Sequence, residues 1–292
     1  MLLAALLFAL AAPAYALEIF ACEPEWGALA RELAPQANIT VATSAQQDPH
    51  HVEARPSLIA KLRRADLVVC TGAELEAAWL PALLVRSSNP ALKGERLFFA
   101  ADHVERVGMP AGAIDRSQGD VHASGNPHVH LDPRRMARIG EALADTLARI
   151  DADNAATYRQ RAATLQERLA RVAQRGREAA ATLPSNKVVV FHDAWPYLND
   201  WLGLAQTGTL EPVPGVPPSS RHLAELATAM RGNGSRLILH ASYDDRRAVD
   251  WLAARSDACA VELPYSPGGA PGTDTLDGWY DALILGLTRN CR

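Results

Sequence analysis

Residues Asp151–Thr182 read DADNAATYRQRAATLQERLARVAQRGREAAAT. The stretch holds no proline and a single glycine, Gly176. Leu165, Leu169 and Val172 recur at helical spacing while Arg and Gln fill the other faces, which predicts one long amphipathic helix. A helix of roughly thirty residues spans roughly 45 Å, the reach of a connector between two lobes. A connector this stiff implies lobes that move little against each other, because a flexible hinge more naturally uses a short Gly-rich linker.

On both sides of this stretch, short β-rich runs alternate with amphipathic helical ones, the pattern of parallel sheets in an α/β fold. The first half predicts strands at Glu18–Ala21, Asn38–Thr43, Asp66–Cys70 and Leu97–Ala101, and helices at Trp26–Leu33, Pro56–Arg64 and Glu74–Arg86. In the second half KVVVF (Lys187–Phe191) is the clearest strand, followed by Arg236–His240 and Cys259–Leu263. Helices fit Ala194–Leu202, Ser220–Met230, Asp245–Ala254 and Leu276–Thr288. The expected organisation is an N-terminal lobe over 17–150, the connector over 151–182 and a C-terminal lobe over 183–292, each lobe a mainly parallel sheet flanked by helices. Asp102–Pro127, Glu211–Pro218 (EPVPGVPP) and Pro264–Thr273 (PYSPGGAPGT) have no clear period, and irregular loops of this length inside a compact domain are usually functional or disordered.

Composition narrows the function classes. The 292 residues are 48% hydrophobic and 21% charged, an ordinary globular balance with room for two full cores. The net charge is −4, without the basic excess of a nucleic-acid binder. No apolar run reaches the ~18 residues of a membrane span. Residues 1–16, MLLAALLFALAAPAYA, combine an apolar run with a small-x-small end, which predicts a signal peptide cleaved before Leu17. Export places the chain in an oxidising compartment, where four cysteines suggest two disulfides. Of three connectivities, pairing near with near gives Cys22–Cys70 and Cys259–Cys291.

Nine histidines are present, and several stand where a site in an α/β fold is expected. His50 follows Asp48-Pro49 in the loop after a strand, His128 follows Asn126-Pro127, and His192 directly follows KVVVF, at the strand end where ligands of open sheets gather. Asp274 follows the Gly/Pro loop ahead of the last helix. Two positions come from each half, so facing lobes bring them together. Three imidazoles and a carboxylate make a tetrahedral set suited to Zn²⁺. Asp115, Asp120 and His122 lie on the irregular loop before His128, and Asp120 and His122 are candidates for accessory metal capture. His51 points away from His50 in an extended segment, His103 and His222 read as solvated positions, and His240, at a strand end, reads as a satisfied local histidine.

Four segments carry a family resemblance: DPHHVEARPSLIAKLRRADLVVCTGAELE (Asp48–Glu76), GNPHVHLDP (Gly125–Pro133), FHDAWPYL (Phe191–Leu198) and GTDTLDGWYDALI (Gly272–Ile284). Together they resemble the zinc-specific solute-binding proteins of bacterial ABC importers, the ZnuA-like and TroA-like group, and most the branch typified by AztC. The resemblance runs from about Ile19 to Leu287. It implies two α/β lobes joined by one long helix, with Zn²⁺ between them on His50, His128, His192 and Asp274. Manganese-binding relatives place a carboxylate at the third position, so the imidazole of His192 points to zinc. It further implies a monomer that delivers zinc to an inner-membrane ABC permease, with a periplasmic metallochaperone as a donor, and no catalysis, since four protein ligands leave no open position for water. The alternatives are a manganese importer component and a secreted zinc hydrolase with Glu211 or Asp193 as base, for which neither H-E-x-x-H nor G-x-S-x-G is present.

Overall fold

A computed structural model describes residues 16–110, 112 and 119–289. Most of the expected signal peptide, together with Asp115 and Cys291, lies outside the described residues. The chain forms two four-stranded sheets, every strand pair parallel. The first holds β1 (Glu18–Ala21), β2 (Asn38–Val41), β3 (Leu67–Cys70) and β4 (Leu97–Phe99) in the order β2-β1-β3-β4. The second holds β5 (Lys187–Val190), β6 (Ala205–Thr209), β7 (Leu237–His240) and β8 (Cys259–Glu262) in the order β6-β5-β7-β8. The halves therefore repeat one topology that their side chains do not reveal. Parallel strands put all carboxyl ends on one edge of each sheet, where binding loops collect.

Helices α1 (Pro24–Leu33), α2 (Pro56–Leu62) and α3 (Leu80–Ser87) flank the first sheet, and α6 (Pro196–Leu202), α7 (Ser220–Asn233), α8 (Arg246–Ser256) and α9 (Leu276–Arg289) the second. Between them run α4 (Pro133–Ile150) and the 26-residue α5 (Ala155–Ala180), about 39 Å long at the usual rise. The helix α5 buries Tyr158, Ala162, Leu165, Leu169, Val172, Ala173 and Gly176, one face at three- and four-residue steps. One continuous apolar cluster takes in β1, α1, α4, α5, β5, α6 and α9, so the connector is part of the core of both lobes. Polar ties add to it. Arg168 of α5 bridges Glu32 of α1 at 2.9 Å and Asp277 of α9 at 3.0 Å. Arg134 and Arg135 join the buried Asp132 to Asp200 of α6. Among the described residues no helix is long and apolar enough to cross a membrane.

Three elements differ from expectation. The helix predicted over Glu74–Arg86 starts only at Leu80, because Gly72, Ala73 and Glu74 hold φ of +79°, +47° and +70°, outside the helical region. The helix α4 is additional, with Met136, Ile139, Leu143 and Leu147 buried along one face. The strand β6 is additional too; its sequence AQTGT has no apolar run because it is a sheet edge. Cys22 and Cys70 form a disulfide between the ends of β1 and β3. Cys259 is also disulfide-bonded.

Beside that disulfide three carboxyls are buried. Glu76 accepts from the Thr71 amide at 2.6 Å and from Gly72, and Glu23 accepts from the Thr71 hydroxyl. Burial pushes Glu76 up to about 7 despite those backbone donors, and burial, then the charges of Glu76 and Glu25, holds Glu23 well above the usual carboxylate range. Between the ordinary carboxylate value and about 7, the folded chain keeps protons that the unfolded chain has released. This contribution to stability therefore falls as pH rises through that window and is constant above it. Glu76→Gln is expected to flatten the slope of unfolding free energy between pH 5 and pH 7, read by denaturant titration; an unchanged slope would contradict the burial argument.

Gly176 supplies a second test. A Cβ there would sit 2.2 Å from Cζ2 of Trp201, whose indole N–H donates to the Ala173 carbonyl at 3.0 Å. Gly176→Ala gains about 1 kcal/mol of helix propensity but overpacks a pinned ring at a cost of about 1–3 kcal/mol. A net loss of up to about 2 kcal/mol is expected, seen as a lower denaturation midpoint at constant m.

Candidate metal centre

Loops at the carboxyl edges of the two sheets meet over α4 and α5. The loop after β2 carries Asp48-Pro49-His50. Asp48 folds back on its neighbour, its Oδ1 accepting from the His50 amide at 2.9 Å and lying 2.8 Å from His50 Nδ1. His192 follows β5 directly. His128 enters from the segment after Asn126, which is stitched to the C-terminal half. Asn126 Nδ2 donates to the Asp193 carbonyl at 2.7 Å, and the Tyr197 hydroxyl donates to the Asn126 carbonyl at 2.6 Å.

One ligand atom from each of His50, His128 and His192 lies within 4.8 Å of the others. The ring centroids are 5.4–5.7 Å apart. Every ring has its Nδ1 engaged by an oxygen: Asp48 Oδ1 for His50, the Tyr265 hydroxyl for His128, and Glu211 Oε2 at 2.7 Å for His192. This leaves Nε2 of each ring as the donor for an ion. An oxygen behind a ligating imidazole fixes its tautomer and aim, the usual support of histidine metal sites. His50 and His128 are buried and His192 nearly so.

The charges reinforce the arrangement. Burial first, then the charges of His50, His192 and the nearby His122, holds His128 well below the ordinary histidine range. Burial also pulls His192 down, but the hydrogen bond and charge of Glu211 outweigh it and leave this ring raised. Asp48 stays ionised; burial would raise it, yet the His50 contacts bring it to about 2. Asp244, after β7, is lifted to about 7 by burial although its carboxylate accepts from the Ala241 amide.

His122 joins the cluster, with Nε2 3.2 Å from His50 Nε2. Burial, then His50 and His192, depresses it to about 3. Asp120 stays at the margin, its carboxylate 3.8 Å from exposed His51 and its amide donating to the Pro214 carbonyl at 2.9 Å. Asp274 is exposed and outside the group formed by the three rings. His103 stacks on Phe98, His222 pairs with the Thr209 carbonyl, and His240 with that of Ala241. Sequence reasoning did not give Tyr265, Asp244 or Glu74 a role, and it gave Glu211 a different one. Only Asp48 had a local signal, two residues before His50 across a proline.

Comparison with known proteins extends this geometry. The high-affinity zinc uptake system protein ZnuA of Paracoccus denitrificans is 25% identical over 265 residues, 82% of this chain and 79% of that one. The zinc-binding lipoprotein AdcA of Streptococcus pneumoniae is 27% identical over 202 residues, 68% of this chain but only 39% of that relative's length. A ZnuA crystal structure superposes with TM-score 0.75 at 24% identity, over 92% of this chain and 96% of that one. A zinc-bound ZnuA deletion mutant gives TM-score 0.78 at 22% identity, over 95% and 98%. Residues 19–287 match the family model for the periplasmic zinc-uptake complex component A, ZnuA, and the chain belongs to that family.

Proposed function

We propose that this protein binds Zn²⁺ between its lobes in the periplasm and hands it to a membrane ABC permease. The observation that carries the reading is the trio His50, His128 and His192, three imidazoles with a common centre and each with its second nitrogen engaged by an oxygen. Nitrogen donors of this kind suit zinc better than manganese. The names of the relatives, zinc uptake system protein and zinc-binding lipoprotein, point the same way.

The fourth donor comes from a loop. His122 holds the position next to His50 in the conformation described, and Asp274 is the donor that the family resemblance implies. Both stand on irregular segments, which suits an ion that must be released, while each of the three imidazoles is held by an oxygen at its Nδ1. Asp120 would then serve early capture, at the outer face beside His51. With four protein donors no position is left for an activated water, so the chemistry is carriage and not hydrolysis.

Alanine at His50, His128 or His192 is expected to abolish stoichiometric zinc in metal analysis of folded protein. His122→Ala and Asp274→Ala are each expected to weaken binding at least tenfold without abolishing it, and a variant with wild-type affinity drops out of the ligand set. Zinc and protons compete for the same ring nitrogens, so affinity should fall between pH 7.5 and pH 5.5. Equal affinities at the two pH values would remove the imidazole site.

A further inference from the structure

The segment that carries His122 is fastened at both ends by groups from different halves of the chain. At one end the Asp120 amide donates to the Pro214 carbonyl at 2.9 Å. At the other the Glu74 carboxylate accepts from the Ala123 amide at 2.8 Å and from the Ser124 hydroxyl at 3.0 Å. Glu74 is presented to those donors by an unusual backbone, three successive residues of positive φ, of which Ala73 and Glu74 are not glycine. Side-chain-bearing residues seldom adopt this conformation in sequence, and strain of this kind concentrates at binding and switch positions.

The segment also separates two spaces. On its outer side lies a cleft of about 310 Å³ between it and the Glu74–Ala78 turn. On its inner side lies a small cavity of about 70 Å³ lined by His128 and His192. His122 borders both. This short stretch of chain thus stands between the outer cleft, which His50 also lines, and the cavity beside His128 and His192, with open space on its outer side.

We propose that Glu74 is a positioning residue for metal retention: it docks residues 119–125 so that His122 closes the solvent side of the site, and its release lets that segment withdraw into the outer cleft. The proposal rests on the zinc reading above. Glu74 touches no ligand of the trio and acts only through the position of His122. It is exposed, so its replacement leaves the core and the three imidazoles intact.

The test measures Zn²⁺ release to a chromophoric chelator, beside the visible spectrum of the Co²⁺-loaded protein, for wild type, Glu74→Ala, Glu74→Gln, His122→Ala and the Glu74→Ala/His122→Ala double variant. Loss of two hydrogen bonds to a carboxylate is expected to speed release about tenfold in Glu74→Ala. Its Co²⁺ spectrum should shift toward that of His122→Ala, and the double variant should release no faster than His122→Ala. Glu74→Gln, which keeps one acceptor, should fall between wild type and Glu74→Ala. Wild-type release and an unshifted spectrum in Glu74→Ala, or multiplying effects in the double variant, would overturn the proposal. His50→Ala separates the two levels: if it keeps stoichiometric zinc the site reading itself fails, whereas if it loses zinc and Glu74→Ala behaves as wild type, only the role of Glu74 falls.

Discussion

Imidazoles buried this close together cannot all carry protons. Each charge would lie a few ångströms from the next with little water to screen it; burial first, then these neighbouring charges, pulls His128 and His122 down, while Glu211 keeps His192 raised. Neutral rings with their lone pairs aimed at one point are, in turn, the form that a divalent cation needs. The burial and crowding that keep protons off His128 and His122 therefore favour the metal. Such crowding can persist only if the surrounding structure holds the rings against their mutual repulsion when they are protonated.

That holding is the task of the fold. His50 stands in the loop after β2 and His192 two residues past β5, so the separation of the two sheet edges helps set the size of the site. The separation is fixed by the shared core along α4 and α5 and by Arg168, which holds α1 and α9 at once. A hinge between the lobes would put the crowding at risk with every fluctuation. A connector buried in both cores places the freedom needed for release in the loops instead, where His122 and Asp274 stand.

The fold was legible in the sequence wherever burial imposed a period. Glu18–Ala21 appears as expected, and KVVVF to within one residue, because both are central strands whose last three residues are apolar and buried. The connector was legible because a helix wedged between two lobes must keep one apolar stripe for seven turns. At edges and turns the signal fails. AQTGT pairs only on one side and needs no apolar run. Glu74 lies in a helix-forming stretch, yet tertiary contacts hold it at positive φ, a local preference overridden by long-range bonds. At the site, His50, His128 and His192 could be singled out because they lie in loops beyond strands or follow recognisable turns, and the structure brings them together. The oxygens behind them could not. Tyr265 is 137 residues from His128 and Glu211 is 19 from His192, and side-chain pairing at those separations leaves no periodic trace.

Those rear oxygens also join parts of the site that look separate. Glu211 Oε2 meets His192 Nδ1 at 2.7 Å and accepts from the Gly215 amide at 2.8 Å. The neighbouring Pro214 carbonyl takes the Asp120 amide. One carboxylate thus orients a ligand ring and anchors the turn to which the His122 segment is tied. The two fastenings of that segment are unequal. Glu211 is largely shielded, with 13% of its side chain exposed, and its bonds keep most of their strength. Glu74 faces solvent, where water competes for its oxygens and salt screens its charge. The weaker fastening is the one on the outer cleft, so the proposed opening from the Glu74 side would leave the Glu211 side aiming His192. On the proposed ligand set, an ion leaving by that route would lose its loop donor before the three imidazoles.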